Sequence, residues 1–111
     1  MLSRIIVVLF LAGSISFPAV AEQFASKAQI EKRLVGKTVR YGDNGRATYS
    51  VNGQYTHVLS SSGKISRGTW TINEGQVCVR FNSGRGRCDT IAIDGSVMYL
   101  INMFGERYKI N

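Results

Sequence analysis

Turn signals recur about every ten residues along most of this chain, and their spacing is what most limits its fold. From Gly36 onward, loops rich in Gly, Asn, Asp and Ser separate short runs of β-forming residues. Such short loops join antiparallel neighbours, because a parallel crossover needs a dozen or more residues. The predicted strands are Thr38–Tyr41, Arg46–Val51, Gln54–Leu59, Lys64–Ile72, Gln76–Phe81, Arg87–Ile93, Val97–Met103 and Glu106–Ile110.

Eight strands in one antiparallel meander predict a mainly β domain that is a small up-and-down barrel or a strongly rolled sheet. Closing the sheet removes the exposed edges that would otherwise pair with other chains. An open sheet packed on a helix is the alternative. The strand Val97–Met103 is apolar on both faces, so we expect it to be covered on both sides, with a helix against its outer face.

One short helix is predicted before the strands. Ser26 and Gln29 have the spacing of a capping box, and Ile30 and Leu34 share one helical face. Gly36 is a plausible stop, so the helix covers about Lys27–Val35. A helix this short depends on tertiary packing for its stability.

Trp70 is predicted to be a core residue, because it is the single Trp and lies between two threonines in mid-strand. Ile72 shares its face, whereas Ile65 has the opposite parity. A β-bulge near Gly68 would bring Ile65 onto the face of Trp70.

The first residues have the three parts of a secretory signal peptide. Arg4 gives a positive start, Ile5–Ala12 is an unbroken apolar run, and Ala19-Val20-Ala21 is typical of a signal-peptidase site. Cleavage is predicted after Ala21. Residues 1–21 are therefore interpreted as a signal peptide and residues 22–111 as a single small β domain, periplasmic or secreted, without a transmembrane span after cleavage.

Export implies that the two cysteines meet an oxidising compartment. A three-residue loop, Asn82-Ser83-Gly84, places Cys78 directly opposite Cys88 on neighbouring strands. Opposite residues bring their Cβ atoms close to the separation that a disulfide needs. We therefore predict a cross-strand disulfide. A redox-active pair is the alternative, although the spacing is not C-x-x-C.

Several short motifs follow one another along the chain: Leu34-x-Gly36-x-Thr38, Gly53-x-Tyr55, Gly68-Thr69-Trp70, Gly75-Gln76-Val77-Cys78-Val79 and Cys88. Their order resembles a group of small exported bacterial proteins with an "LxGxT…GTW…G-x-(V/L)-C…C" module, mostly of unknown function. The resemblance covers most of the mature chain, from Leu34 to about Gly105, and implies a small all-β envelope domain; it carries no catalytic residues across.

The residues that carry chemistry are few. A structural zinc site needs four ligands, and Cys78, Cys88 and His57 are the only Cys and His residues, so we expect no metal and no cofactor. A two-residue Asn52-Gly53 turn would place His57 opposite Thr48. A general base needs an orienting partner, and no local spacing ties an acid to His57. The sequence therefore predicts a protein that is not an enzyme.

Positive charge is the remaining lead to function. The formal charge is +7, and Arg80, Arg85 and Arg87 lie around one predicted hairpin tip. Lys32, Arg33, Lys37 and Arg40 form a second basic group after the helix. Such groups attract anionic partners, so the three hairpin arginines are the candidate binding residues. The alternative is that the excess charge only keeps a small domain in solution.

These features predict an exported, non-enzymatic domain that binds another envelope or secreted protein, for example as an inhibitor or immunity-like protein. Nucleic acid is not the expected partner, because the tyrosines do not recur as a stacking motif. The alternative function is a small secreted hydrolase, such as a ribonuclease, that uses His57.

Overall fold

A computed structural model of the protein describes residues 22–111, so the predicted signal peptide lies outside the described residues. The elements in chain order are β1 (Gln23–Phe24), α1 (Lys27–Leu34), β2 (Lys37–Arg40), β3 (Arg46–Tyr49), β4 (Gln54–Val58), β5 (Ile65–Asn73), β6 (Gln76–Phe81), β7 (Gly86–Asp94), β8 (Val97–Ile101) and β9 (Arg107–Lys109).

Strands β2 to β9 form one antiparallel meander in which each strand pairs with the next along the chain. The meander rolls into a nearly closed barrel, because its first and last strands meet. Tyr41 forms an isolated bridge with Ile110, and Arg40 and Asn111 exchange two backbone hydrogen bonds of 2.8 and 2.9 Å. The predicted barrel is confirmed, and the open-sheet alternative is wrong.

The core fills the barrel interior, as the alternation of strand side chains requires. Alternate residues of the long strands point inward and are buried or partly buried, and most of the residues between them are exposed. Ala92 is an exception, because it lies between the inward residues Ile91 and Ile93 of β7 and is nevertheless 0% exposed. The buried apolar residues of the strands and their ends are Val39, Tyr41, Ala47, Tyr49, Tyr55, Ile72, Val77, Val79, Ile91, Ala92, Met98, Leu100 and Ile110.

Helix α1 begins where its sequence predicts. Ser26 accepts a hydrogen bond from the Gln29 amide, and the Gln29 side chain accepts one from the Ser26 amide, which completes the capping box. The helix contacts β2, β5 and β6, and its residues Ile30 and Leu34 are 0% exposed. It therefore packs over one end of the barrel, beside the turns at 50–53 and 74–75. The expectation that it covers the outer face of β8 is wrong.

Strand β1 is the element that the sequence patterns do not predict. Gln23 pairs with Ile93 and Phe24 with Ala92, on the half of β7 that continues beyond β6. The Ala25 amide then donates to the Ile91 carbonyl (2.9 Å). Two residues are too few to show periodicity, and their position depends on an edge of β7 that exists only in the folded barrel.

Strand β5 runs without a bulge. Its register is continuous from Ile65, opposite Val58 on β4, to Asn73, opposite Gln76 on β6. The predicted bulge at Gly68 is therefore wrong, and Ile65 lies on the outer side with 49% of its surface exposed. Gly68 instead permits a close approach, since a Cβ there would lie 2.1 Å from the Arg80 carbonyl oxygen.

The predicted disulfide links Cys78 on β6 to Cys88 on β7, and the Cα atoms of the two cysteines are 4.0 Å apart. The two residues are directly opposite each other, as the three-residue loop at 82–84 requires. They form a non-hydrogen-bonded pair, in which opposite side chains approach most closely. The bond therefore holds the β6–β7 hairpin from the outside of the barrel.

Replacing Gly68 tests the close approach of β5 and β6. We expect Gly68→Ala to lower the free energy of unfolding by about 1–3 kcal/mol, because the new methyl group overpacks against the backbone. Gly86→Ala is the matched control on β7, where the nearest atom lies 3.4 Å from an added Cβ. The control should change stability by about 0.5 kcal/mol or less. If urea unfolding showed that both variants lose the same free energy of unfolding, the close approach of β5 and β6 at Gly68 would be contradicted.

Candidate functional site

The end of the barrel opposite α1 carries the loops at 42–45, 59–64, 82–85 and 102–106, and is called the loop end below. Successive loops of an up-and-down meander alternate between the two ends, so these four loops lie together. Two features occur at or just inside this end. One is a surface groove, and the other is a group of polar side chains on the inner face of the barrel.

The groove has a volume of about 470 Å³ and lies between the start of β5 and the β6–β7 hairpin. It exists because β5 is longer than β6: β4 pairs with β5 as far as Ile65, whereas β6 pairs only as far as Gly68. We call it the cationic groove, and it is lined by Lys64, Ile65, Ser66, Arg67, Phe81, Asn82, Ser83 and Arg85.

Charge in this groove has one sign. Lys64, Arg67 and Arg85 contribute three cations, and no acidic residue of the described chain lines it. Ile65 and Phe81 add apolar surface between the charges. The groove can therefore attract carboxylates or phosphates and at the same time bury a small apolar group.

The three predicted arginines do not form one cluster. Arg85 lies in the cationic groove, whereas Arg80 and Arg87 line a separate cavity that includes Cys78 and Cys88. Proximity along the sequence does not predict that Lys64 and Arg67 belong to this site. Lys64 directly precedes β5 and Arg67 lies within it, and both line the groove with Arg85. The signal that could have found them is the strand register, since Phe81 is paired with Gly68 on β5 and bonded to Arg85 across the hairpin.

The second predicted basic group lies away from the cationic groove. Arg33 donates to the Ile110 carbonyl (2.9 Å), and Lys37 donates to the Lys32 carbonyl (2.7 Å). These contacts place the side chains of Arg33 and Lys37 beside the C-terminal end of α1, at the covered end of the barrel. Arg40 is exposed on β2. The two basic groups therefore do not form one surface.

Arg87 forms an ion pair with Asp89. Its Nε lies 3.0 Å from Oδ2 of Asp89, which is only 3% exposed, and its guanidinium lies 5.8 Å from the centre of the Phe81 ring. Burial raises the pKa of Asp89, and the positive charge of Arg87 opposes that rise. Arg87 is needed to compensate this buried carboxylate, so its charge is less available to a partner than that of Arg85.

Three tyrosines occupy the interior near this ion pair. The hydroxyls of Tyr41 and Tyr49 contact each other, and the Tyr49 and Tyr55 rings pack edge to face at 5.2 Å between centres. Burial raises the pKa of all three phenols, that of Tyr55 to about 12. They stay neutral at physiological pH and contribute hydrogen bonds and packing to the interior.

His57 is half-buried on the inner face, and its Nε2 lies 3.0 Å from the Asn44 carbonyl oxygen. The β3–β4 loop has three residues, 51–53, which places His57 opposite Ala47. The prediction that it faces Thr48 is therefore wrong. Burial lowers the pKa of His57, the Asn44 carbonyl partly opposes this, and the charge of Arg87 lowers it further. Neutral His57 donates from Nε2, because a carbonyl can only accept.

Metal sites and membrane-spanning helices are both absent from residues 22–111. No group of three or more His, Cys, Asp or Glu side chains in that range could hold a metal ion. No helix in the same range is long and apolar enough to cross a membrane.

Comparisons of the chain with protein-family models, curated proteins and solved structures find no match.

The lowered pKa of His57 predicts a pH-dependent loss of stability. Below about pH 6.5 the unfolded chain binds a proton that the folded chain resists, so wild type should lose stability as the pH falls through that value. His57→Gln keeps an amide donor for Asn44 but cannot be protonated. Its urea midpoint should therefore fall less than that of wild type between pH 7.5 and pH 5.5. Equal falls in the urea midpoints of wild type and His57→Gln between pH 7.5 and pH 5.5 would contradict this interpretation. Asp89 is present in both proteins and cancels in the comparison.

Proposed function

We propose that the protein is an exported, non-enzymatic domain that binds an acidic segment of another envelope or secreted protein at the cationic groove. The observation that carries this proposal is the convergence of Lys64, Arg67 and Arg85 around Ile65 and Phe81. An inhibitor or immunity-like protein would use such a surface to cover a partner.

Electrostatics favours an anionic partner because three cations share the groove and the formal charge of the whole chain is +7. Like charges held together repel one another, and a carboxylate-bearing partner relieves that repulsion. Such complementarity mainly raises the association rate and selects against wrong partners. The apolar surface of Ile65 and Phe81 then supplies contact area that is buried on binding.

The candidate residues Arg80, Arg85 and Arg87 contribute unequally to this proposal. Arg85 is the direct contact, together with Lys64 and Arg67. Arg80 is exposed on the outer face of β6 and flanks the groove from the side of the disulfide. Arg87 supports the site through Asp89 and Phe81.

Export is part of the proposal. The signal-peptide pattern before Glu22 supports a periplasmic or secreted location, and a disulfide is typical of an oxidising compartment. Glu22 would then be the first residue of the mature chain. Its carboxylate forms an ion pair with Arg107, which holds that end against β9.

A variant that removes two groove cations tests the binding function. Arg67→Gln with Arg85→Gln should weaken salt-sensitive retention of a specific envelope protein about tenfold or more, because each lost charge pair costs about 1 kcal/mol. Lys27→Gln with Lys32→Gln is the matched control, since it removes the same charge from α1, outside the cationic groove. Arg87 is left intact, because removing it would strand the buried carboxylate of Asp89.

The measurement is capture from envelope extract by immobilised protein, followed by identification and titration of the retained partner. Retention that both double variants reduce equally would attribute binding to net charge and contradict a groove. Retention that neither variant changes would contradict the proposal altogether.

The alternative function, a small ribonuclease that uses His57, has one supporting observation. His57 and Arg87 lie on the same inner face, close enough for the arginine charge to lower the histidine pKa. An RNA-cleavage assay with wild type and His57→Ala separates the two functions. We expect no His57-dependent cleavage, because its Nε2 is bonded to the loop backbone and Asp89 is paired with Arg87. Cleavage that is lost in His57→Ala would favour the enzyme.

A further inference from the structure

The cationic groove exposes an edge of β5 as well as charged side chains. Resting on the proposed function, we propose that the acidic segment of the partner binds as an extended strand added to β5 at residues 65–67. In this mode main-chain hydrogen bonds contribute affinity and alternate side chains contribute specificity.

The unequal pairing of β5 creates this edge. On one side, β4 pairs with every residue from Ile65 to Thr69. On the other side, pairing with β6 ends at Gly68. Ile65 and Ser66 therefore have β4 on one side and the groove on the other, whereas Arg67 keeps one hydrogen bond on the groove side, in which its carbonyl accepts from the Asn82 amide (2.9 Å).

The directions of the backbone groups follow from hydrogen bonds on either side. The Trp70 amide donates to the Gly53 carbonyl (3.0 Å), and the Lys64 carbonyl accepts from the Leu59 amide (2.9 Å), so even-numbered residues of β5 bond toward β4. Odd-numbered residues bond the other way, as the Arg67 carbonyl does when it accepts from the Asn82 amide (2.9 Å). The backbone groups of Ile65 consequently face the groove.

Three of these groups are free to bind another strand. The amide and carbonyl of Ile65 and the amide of Arg67 have no hydrogen-bond partner within residues 22–111. Ile65 thus offers a donor and an acceptor from one residue. A peptide backbone satisfies both, whereas a phosphate or carboxylate supplies only acceptors. The pair therefore favours a polypeptide over a simple anion.

The flanking cations select which polypeptide can bind. Lys and Arg beside an open edge oppose pairing with other chains, and a second copy of this basic chain would bring more like charge. A segment with carboxylates near Lys64, Arg67 and Arg85 turns the same charges into attraction. An apolar side chain of that segment could contact Ile65, which is half exposed, and Phe81.

A proline substitution separates backbone pairing from side-chain contact. Ile65→Pro removes the amide that faces the groove and breaks no bond to β4, because that amide is not part of the β4 ladder. Proline is also tolerated on strand edges. Ile65→Ala removes a comparable side chain but keeps the amide, so it is the matched control. Urea unfolding followed by Trp70 fluorescence checks that both variants fold.

The probe is a blocked, fluorescent peptide of alternating Glu and Val, with a Lys–Val peptide as the charge control, titrated into the disulfide-bonded mature protein and followed by anisotropy. We expect Ile65→Pro to bind the Glu–Val peptide about tenfold more weakly than Ile65→Ala, in line with the loss of a main-chain hydrogen bond. In wild type, the NMR amide signals of Ile65 and Arg67 should shift on binding, which holds even if the proline variant does not fold.

Equal binding by the two Ile65 variants would overturn strand addition, as would unchanged Ile65 and Arg67 amide signals. Failure of the Glu–Val peptide to bind at millimolar concentration would overturn it too. In each case, loss of the captured envelope protein on Arg67→Gln with Arg85→Gln would still support the proposed function. If the peptide binds equally with and without those two arginines, the cationic groove is not the site and both proposals are wrong.

Discussion

The loop end depends on how β5 pairs with its two neighbours, because β4 pairs with β5 as far as Ile65 and β6 pairs with it only as far as Gly68. Gly68 lets β5 and β6 approach closely, since the Arg80 carbonyl occupies the space of a Cβ. Beyond Gly68 the ladder between β5 and β6 ends, and a single hydrogen bond from the Asn82 amide to the Arg67 carbonyl (2.9 Å) still joins the two. The disulfide between Cys78 and Cys88 links the two strands of the β6–β7 hairpin. The paired residues of β5 and β6, from Gly68 onward, form part of the barrel wall, and the unpaired start of β5 lines the cationic groove at the loop end.

Two arginines of the β6–β7 hairpin have different surroundings in the barrel. Arg87 faces a carboxylate that is almost fully buried, so its charge is used to hold Asp89 in the barrel. Arg85, two residues earlier, lies in the groove beside cations of β5. Strand alternation does not separate these two residues. What separates them is depth, because Arg87 reaches a buried acid and Arg85 does not.

Much of the fold could be predicted from local patterns. The capping box of Ser26 and Gln29 set the start of α1, and a three-residue loop set the register that joins Cys78 to Cys88. The failures had specific causes. A three-residue loop, in place of a two-residue Asn52-Gly53 turn, moved His57 to a different partner, because one residue of loop length shifts the whole ladder. The predicted position of helix α1 over β8 is wrong because an amphipathic face specifies that a helix is buried but not which surface it contacts.

Local sequence patterns specify the succession of short antiparallel strands, the helix before them, the cysteine pairing and the excess of positive charge. Each of these depends on residues that are near one another in the chain or on simple composition. The folded barrel alone specifies that β1 pairs with β7, that α1 covers one end, and that Lys64 and Arg67 lie with Arg85 in one groove. The reason is that closure of the barrel and the relative lengths of neighbouring strands are non-local, and they set which distant residues meet.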